Sequence, residues 1–239
     1  MLESKKFSIL IPCFNEGKSL VNLISQITPL QQDYDLEFIL IENGSIDDSK
    51  DFFREIEGIY KNIQIVFVDK NRGYGYGIQQ GLKIARGDYI GWIHADLQVT
   101  PIELRQFFDY IDGLDSENQL FVKGKRLNRS FFDLIFTYGQ SVFNTILFGY
   151  KLQDIGAIPT IFTRTLVDDI EALPNDFSIE LFLYLQAIRN NFSIKRIPVS
   201  LVERKMGSSS WNSGLKSKLT QSKRIFHDSL LIKKNKKVL

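Results

Sequence analysis

Four short apolar runs set the plan of the N-terminal half of this chain. Phe7–Ile11, Glu37–Ile41, Ile63–Val68 and Asp88–Ile93 read as strands. Between them, Leu20, Leu23, Ile24 and Ile27, then Phe52, Phe53 and Ile56, then Ile78, Leu82 and Ala85 recur at helical spacing. Strands alternating with amphipathic helices predict βαβ units, a parallel sheet and right-handed crossovers. Beyond Pro101 the rhythm loosens. A helix is expected over Ile102–Ile111, a strand at Leu120–Lys123, and a long aromatic amphipathic segment over Phe131–Tyr150. Gly156–Phe162 reads as extended, Ser178–Arg189 as a helix, and Ile194–Val202 as a strand that Pro198 assigns to a sheet edge. With no repeats and no linker, the reading is one domain with a C-terminal appendage.

Composition removes several function classes. The single cysteine, Cys13, excludes an internal disulfide framework and a multi-cysteine zinc site, which fits a reducing compartment. Met1–Lys6 is polar and the following apolar run is short, so no signal peptide is expected. The nearest approach to a membrane span, Phe131–Tyr150, is interrupted by Asp133, Gln140 and Asn144. That segment reads either as a core helix or as one resting on a lipid surface. A formal net charge of +2 gives no global field for nucleic acid. The charge is uneven, however. Lys216, Lys218, Lys223, Arg224, Lys233, Lys234, Lys236 and Lys237 face one acid, Asp228, in the last part of the chain. Such an end suits an anionic membrane surface or a docking partner, or is simply a solvated helix and tail.

In a parallel sheet the loops at the carboxyl ends of the strands share one rim. Here they are Pro12-Cys13-Phe14-Asn15-Glu16, Glu42-Asn43-Gly44-Ser45, Asp69-Lys70-Asn71-Arg72-Gly73 and His94-Ala95-Asp96-Leu97-Gln98. Asp96 and Gln98 offer hard oxygen ligands of the kind that hold Mg²⁺ or Mn²⁺ on substrate phosphates. Gly73, Gly75 and Gly77 open the third helix and are expected to let backbone approach a ligand. Their spacing is not that of a dinucleotide fingerprint. Downstream, Arg204, Lys205, Gly207, Ser208, Ser209 and Ser210 form a basic, hydroxyl-rich loop suited to phosphate oxygens, and Arg126 and Arg129 a second basic patch.

Taken in order, these motifs resemble glycosyltransferase family 2, from about Phe7 to Trp211. Ile-Pro-Cys-Phe-Asn-Glu resembles the first-strand motif. Glu42-Asn43-Gly44-Ser45 with Asp47 and Asp48 resembles the Asp-Asp-Gly-Ser turn, and Asn71-Arg72-Gly73 through Arg86-Gly87-Asp88 the following helix. His94-Ala95-Asp96 stands at the Asp-x-Asp metal motif. Asp96-Leu97-Gln98, Val122-Lys123-Gly124-Lys125-Arg126 and Arg204–Ser210 are most similar to dolichyl- or polyprenyl-phosphate sugar synthases.

The resemblance implies an α/β fold: a single A-type nucleotide-diphosphosugar transferase domain with a mostly parallel central sheet flanked by helices. Residues 1–212 would be catalytic and 213–239 a basic C-terminal helix and tail. It implies an inverting, metal-dependent transfer of a sugar from a UDP- or GDP-linked donor. The acceptor would be a polyprenyl phosphate at the cytoplasmic membrane face, or else a glycan hydroxyl. Pro12, Asn15, Glu16, Glu42, Asn43, Arg72, Gly73 and His94 would surround the nucleoside, and Asp96 and Gln98 would hold Mg²⁺ or Mn²⁺. Arg204 would steady the diphosphate, while Arg126, Lys205, Ser208 and Ser209 would meet acceptor or phosphate oxygens. A hydroxyl acceptor needs a carboxylate base and a phosphate acceptor does not. Glu180 is the one downstream acid in a motif-like position, read first as a helix N-terminal acid favoured by the dipole. Three residues depart from the pattern. His94 replaces the first motif Asp, Glu42-Asn43 replaces a double Asp, and Asp133 stands near where the lipid-phosphate synthases tend to carry another basic residue. A non-catalytic nucleotide-sugar-binding domain is the competing reading.

Overall fold

The structure is a computed structural model that describes residues 5–115, 119–128, 131–168, 170, 172–202 and 215–234. The four N-terminal runs become β1 (Lys6–Cys13), β2 (Asp35–Glu42), β3 (Ile63–Phe67) and β4 (Tyr89–Trp92). The helical stripes become α1 (Leu20–Ile27), α2 (Ser49–Ile56) and α3 (Tyr74–Leu82). Leu20, Leu23, Ile24 and Ile27 are the buried residues of α1, so its periodicity is the sheet-facing stripe. Ile9, Leu10 and Ile11 of β1 are fully buried, each contributing roughly 1.5–3 kcal/mol.

The second half supplies α4 (Arg105–Asp112), β5 (Leu120–Arg126), α5 (Phe131–Phe148), β6 (Thr160–Thr163), α6 (Thr165–Asp168), α7 (Ile179–Arg189), β7 (Ser193–Val199) and α8 (Leu215–Lys234). The seven strands are ordered β3-β2-β1-β4-β6-β5-β7. β1 pairs in parallel with β2 and β4, and β2 with β3. β6 runs antiparallel to both β4 and β5. Hence β5 points the same way as β4, and so does β7, its parallel partner. The sheet is mostly parallel, with one reversed strand. β7 is an edge strand, where Pro198 leaves no interior ladder short of a donor.

This order fixes where a ligand can sit. The chain walks from β1 outward to β2 and β3, then returns to lay β4 on the other side of β1. A crevice opens at such a reversal, outside the carboxyl ends of the two strands. The long excursion carrying α5 also leaves and rejoins this edge, because it runs from the end of β5 to the start of the reversed β6.

Candidate active site

Three of the rim loops are locked to one another. Asn15, at φ +57°, donates its N–H to Ser45 Oγ (3.0 Å) and accepts from Ile46 N–H through Oδ1 (3.0 Å). Glu42 Oε1 accepts from Ser45 N–H (2.6 Å), and Asn43 Nδ2 donates to the Gly73 carbonyl (3.1 Å). Glu42 and Asn43 are buried, so they form the floor of these loops. Their remaining oxygens, Glu42 Oε2 and Asn43 Oδ1, have no hydrogen-bond partner among the described residues. Glu16 sits higher and accepts from Ser19 Oγ (2.9 Å). Burial first, then the charges of Glu16 and Glu42, push the Cys13 thiol well above its ordinary value, so it stays protonated and unreactive.

The glycine run behaves differently from expectation. A Cβ on Gly73 would lie 2.2 Å from the Asn175 carbonyl oxygen, and one on Gly75 2.2 Å from that of Pro174. A Cβ on Gly77 would strike the Asn43 side chain. On the side a Cβ would occupy, the space is therefore taken by the protein's own 173–177 segment and by Asn43. Tyr76 N–H donates to the Asn175 carbonyl (2.9 Å), and Gln79 Nε2 reaches Leu173, Pro174 and Asn175. Gly73 keeps its expected place on the rim at φ +117°, a conformation disfavoured for side chains. Arg72 lies over the Tyr76 ring at 5.2 Å.

At the end of β4 the half-buried Asp96 caps its own turn, its Oδ1 accepting from Gln98 N–H (3.1 Å) across Leu97 at φ +57°. No group of three or more His, Cys, Asp or Glu able to hold a metal is present among the described residues. Mg²⁺ is commonly held by one or two carboxylates together with substrate phosphates, and Asp96 and Gln98 are the residues here that would hold such a cation. Val202 N–H donates to the Gln98 carbonyl (2.9 Å), bringing the chain beside this turn just before residue 203. Arg204, Lys205, Gly207, Ser208, Ser209 and Ser210 lie outside the described residues, as do Arg129, Lys236 and Lys237.

His94 Nε2 is 3.1 Å from the Tyr74 hydroxyl, which lies 3.5 Å from Glu180 Oε1. Phe177 stacks on Tyr74 at 4.4 Å, and His94 meets both rings edge-on. Burial, then Glu180, then Asp96 push the Tyr74 phenol well above its ordinary value, so its proton remains on the ring oxygen. Glu180 lies in the first turn of α7, as its position suggested, but it does more there than meet the helix dipole. It is buried and accepts from Trp92 Nε1 (2.6 Å), Lys123 Nζ (2.6 Å) and, more distantly, Thr160 Oγ1 (3.4 Å). Lys123 also donates to Thr160 Oγ1 (2.8 Å). Burial lowers the Lys123 ammonium's pKa and the Glu180 charge opposes that shift.

Arg126 is the last residue of β5, and its guanidinium is paired with Asp154. Nε donates to Asp154 Oδ1 (2.8 Å), Nη2 contacts the same oxygen, and the Arg126 N–H donates to Oδ2 (3.1 Å). An acceptor phosphate must compete with that carboxylate. Burial pushes the Asp154 carboxyl up, yet Arg126 and then Arg196 outweigh it and hold the carboxyl below its usual range. Tyr74, Lys123, Asp154 and Phe177 were not read as site residues. Lys123, a cation directly after the apolar run Leu120–Val122 in the same strand, carried a legible sign of a buried partner.

Three comparisons with known proteins bear on the family and the fold. The family described as Glycosyl transferase family 2 matches residues 8–147. The undecaprenyl-phosphate 4-deoxy-4-formamido-L-arabinose transferase of Aeromonas hydrophila is 38% identical over 106 residues, covering 42% of this chain and 32% of that protein. The protein of the same name from Proteus mirabilis is 36% identical over 105 residues, covering 41% and 31%. The match thus spans about a third of the length of these curated relatives. Among solved structures, glucosyl-3-phosphoglycerate synthase from Mycobacterium tuberculosis, in complex with Mn²⁺, UDP and glucosyl-3-phosphoglycerate, superposes with a TM-score of 0.70 at 18% identity. That alignment covers 96% of this chain and 80% of the other, and shows the shared fold. With a family match over more than half its length, this chain belongs to glycosyl transferase family 2.

Proposed function

We propose that this protein transfers a sugar, with inversion, from a nucleotide-diphosphate donor to a polyprenyl phosphate at a membrane surface. The observation that carries the choice of acceptor is the engagement of Glu180. A general base must offer a free lone pair to the incoming hydroxyl. This carboxylate already accepts from an ammonium and an indole, with two hydroxyls near it, inside the core. An acceptor that arrives as an anion needs no such base. The curated relatives named for undecaprenyl phosphate support the same class.

In this reading Pro12, Asn15, Glu16, Glu42, Asn43, Arg72, Gly73 and His94 frame the nucleoside. UDP is the first donor to test and GDP-linked sugars are the alternative. Asp96 and Gln98 hold Mg²⁺ or Mn²⁺ against the diphosphate, and the Mn²⁺- and UDP-bound neighbour supports a divalent ion. A divalent ion there offsets the charge gathering on the departing nucleoside diphosphate. Arg204 would add a guanidinium to the same charge. Lys205, Ser208 and Ser209 would donate to phosphate oxygens, and Arg126 would face the acceptor. The acceptor oxygen bonds to the anomeric carbon as the carbon–oxygen bond to the diphosphate breaks, and the electron pair leaves with the nucleotide. Residues 1–212 would carry this chemistry, with 213–239 a basic helix and tail.

The test measures UDP release from a panel of UDP-sugars with Mn²⁺, in the presence of undecaprenyl phosphate or of undecaprenol. Release with the phosphate and none with the alcohol is expected. Equal release with the alcohol, or with a glycan hydroxyl, would overturn the acceptor assignment.

A further inference from the structure

The outer face of α5 is unusual for a helix in water. Every exposed residue described on it is apolar or glycine. Phe131, Leu134, Ile135, Tyr138, Val142 and Ile146 point outward, with Tyr138 73% and Ile146 79% exposed. Phe131 and Tyr138 alone present on the order of 300 Å². That approaches the largest apolar patch expected on a monomer, before the aliphatic residues are counted. No helix among the described residues is long and apolar enough to cross a membrane, so this stripe does not belong to a span.

The neighbour of α5 says what the face is suited to. α8 packs along it, with Phe143 and Phe226 edge-to-face at 4.6 Å and Lys233 over the Phe148 ring at 5.6 Å. Leu230 and Leu231 extend the apolar surface from the α8 side, while Lys223, Lys233 and Lys234 are exposed. The one acid of α8, Asp228, is 18% exposed and pairs with Arg224. Apolar side chains bordered by cations match an anionic bilayer surface, where the first enter the acyl boundary and the second meet the headgroups.

We infer that the α5–α8 face is a docking surface for an anionic lipid bilayer. Docking therefore rests on the apolar stripe of α5 as well as on basic residues near the C-terminus. The placement also serves the site. On its inner side α5 presents Ser141 Oγ, which accepts from Asp154 N–H (3.2 Å), and Asp154 holds Arg126 on the rim. The helix that carries the lipid-facing stripe is thus linked through Ser141 and Asp154 to the residue proposed to face the acceptor phosphate. The inference rests on the polyprenyl-phosphate reading for its purpose, and on the exposed residues alone for its existence.

Vesicle flotation tests it directly, using phosphatidylcholine vesicles with and without phosphatidylglycerol. The wild type should float preferentially with the anionic vesicles. Tyr138→Ser combined with Ile146→Ser should lower partition about tenfold or more. Substituting Lys223, Lys233 and Lys234 by Gln should remove the preference for anionic lipid, about fivefold per charge. These positions are exposed, so the variants should keep the wild-type circular dichroism. Calorimetric UDP–Mn²⁺ binding on the same variants separates docking from the donor site. Vesicle binding lost while nucleotide binding persists supports the docking face, and unchanged partition of the serine variant overturns it whatever the donor experiment gives. A wild type that is dimeric by light scattering, with a monomeric serine variant, also overturns it by assigning the face to a second copy.

Discussion

Lys123→Met removes one charge from the pair at the heart of the sheet and leaves the other in place. The Lys123 and Glu180 side chains are 0% and 6% exposed and meet at 2.6 Å. Stripping one partner from a buried ion pair costs about 3–5 kcal/mol, mostly because the survivor stays desolvated. Here the survivor keeps the Trp92 indole and the hydroxyls, which points to the lower end, about 3 kcal/mol. At this chain length each kcal/mol lowers Tm by about 2–4 °C, so the expected fall is about 6–12 °C. The double variant Lys123→Met/Glu180→Gln is the decisive companion. Glutamine keeps an oxygen for the Trp92 N–H but carries no charge, so the double variant should recover to within about 1.5 kcal/mol of wild type. Urea unfolding followed by tryptophan fluorescence closes the cycle. A single variant within about 1 kcal/mol of wild type, or a double variant worse than the single, would refute the claim that Glu180 is held by Lys123.

Asp96→Asn should lose metal-dependent UDP binding in calorimetry while retaining its near-ultraviolet dichroism; unchanged binding would remove Asp96 from the metal site. Gly75→Ala drives a Cβ against the Pro174 and Asp176 carbonyl oxygens at 2.2 and 2.8 Å, so a loss of about 1–3 kcal/mol is expected in calorimetric unfolding. The Asp154 carboxyl is held low in the folded state, so its stabilisation is complete above an unfolded value of about 3.9 and drains away as pH falls through the lower folded value. Urea melts across that acid range should show the loss in wild type and a flatter curve in Arg126→Met. The Tyr34 phenol, pushed up to about 12 by burial and then by its bond to Asp109, should stay protonated in the folded protein well beyond the ordinary tyrosine range, as an ultraviolet pH titration will read.

The strand–helix alternation before Pro101 was legible because each element there hides one face, and hiding one face writes a period into the sequence. Leu20, Leu23, Ile24 and Ile27 are the plain case. The edge place of β7 was legible too, from Pro198. What the sequence does not carry is which distant side chain completes a buried charge. Glu180 and Lys123 are 57 residues apart and meet beside Thr160 of β6, which is in register with both Trp92 and Lys123. Nor does a glycine announce what fills the space beside it. Gly73 and Gly75 look like ligand glycines, and contact with the distant carbonyls of Asn175 and Pro174 differs from contact with a phosphate only in three dimensions. The apolar face of α5 was ambiguous for a similar reason, since core and lipid ask for the same residues.

The span of the buried polar network sets where this protein can be cut. Trp92 donates across 88 residues and Tyr74 reaches across 106 to one carboxylate on α7, whereas the family match stops at residue 147. A fragment ending there would keep Lys123 and the Trp92 N–H inside the core with no acceptor for either. It would also lack β6, the strand that joins β4 to β5. A fragment of this chain should therefore extend through β7, and a chimera exchanging its first half must carry α7 with it or inherit an unanswered charge.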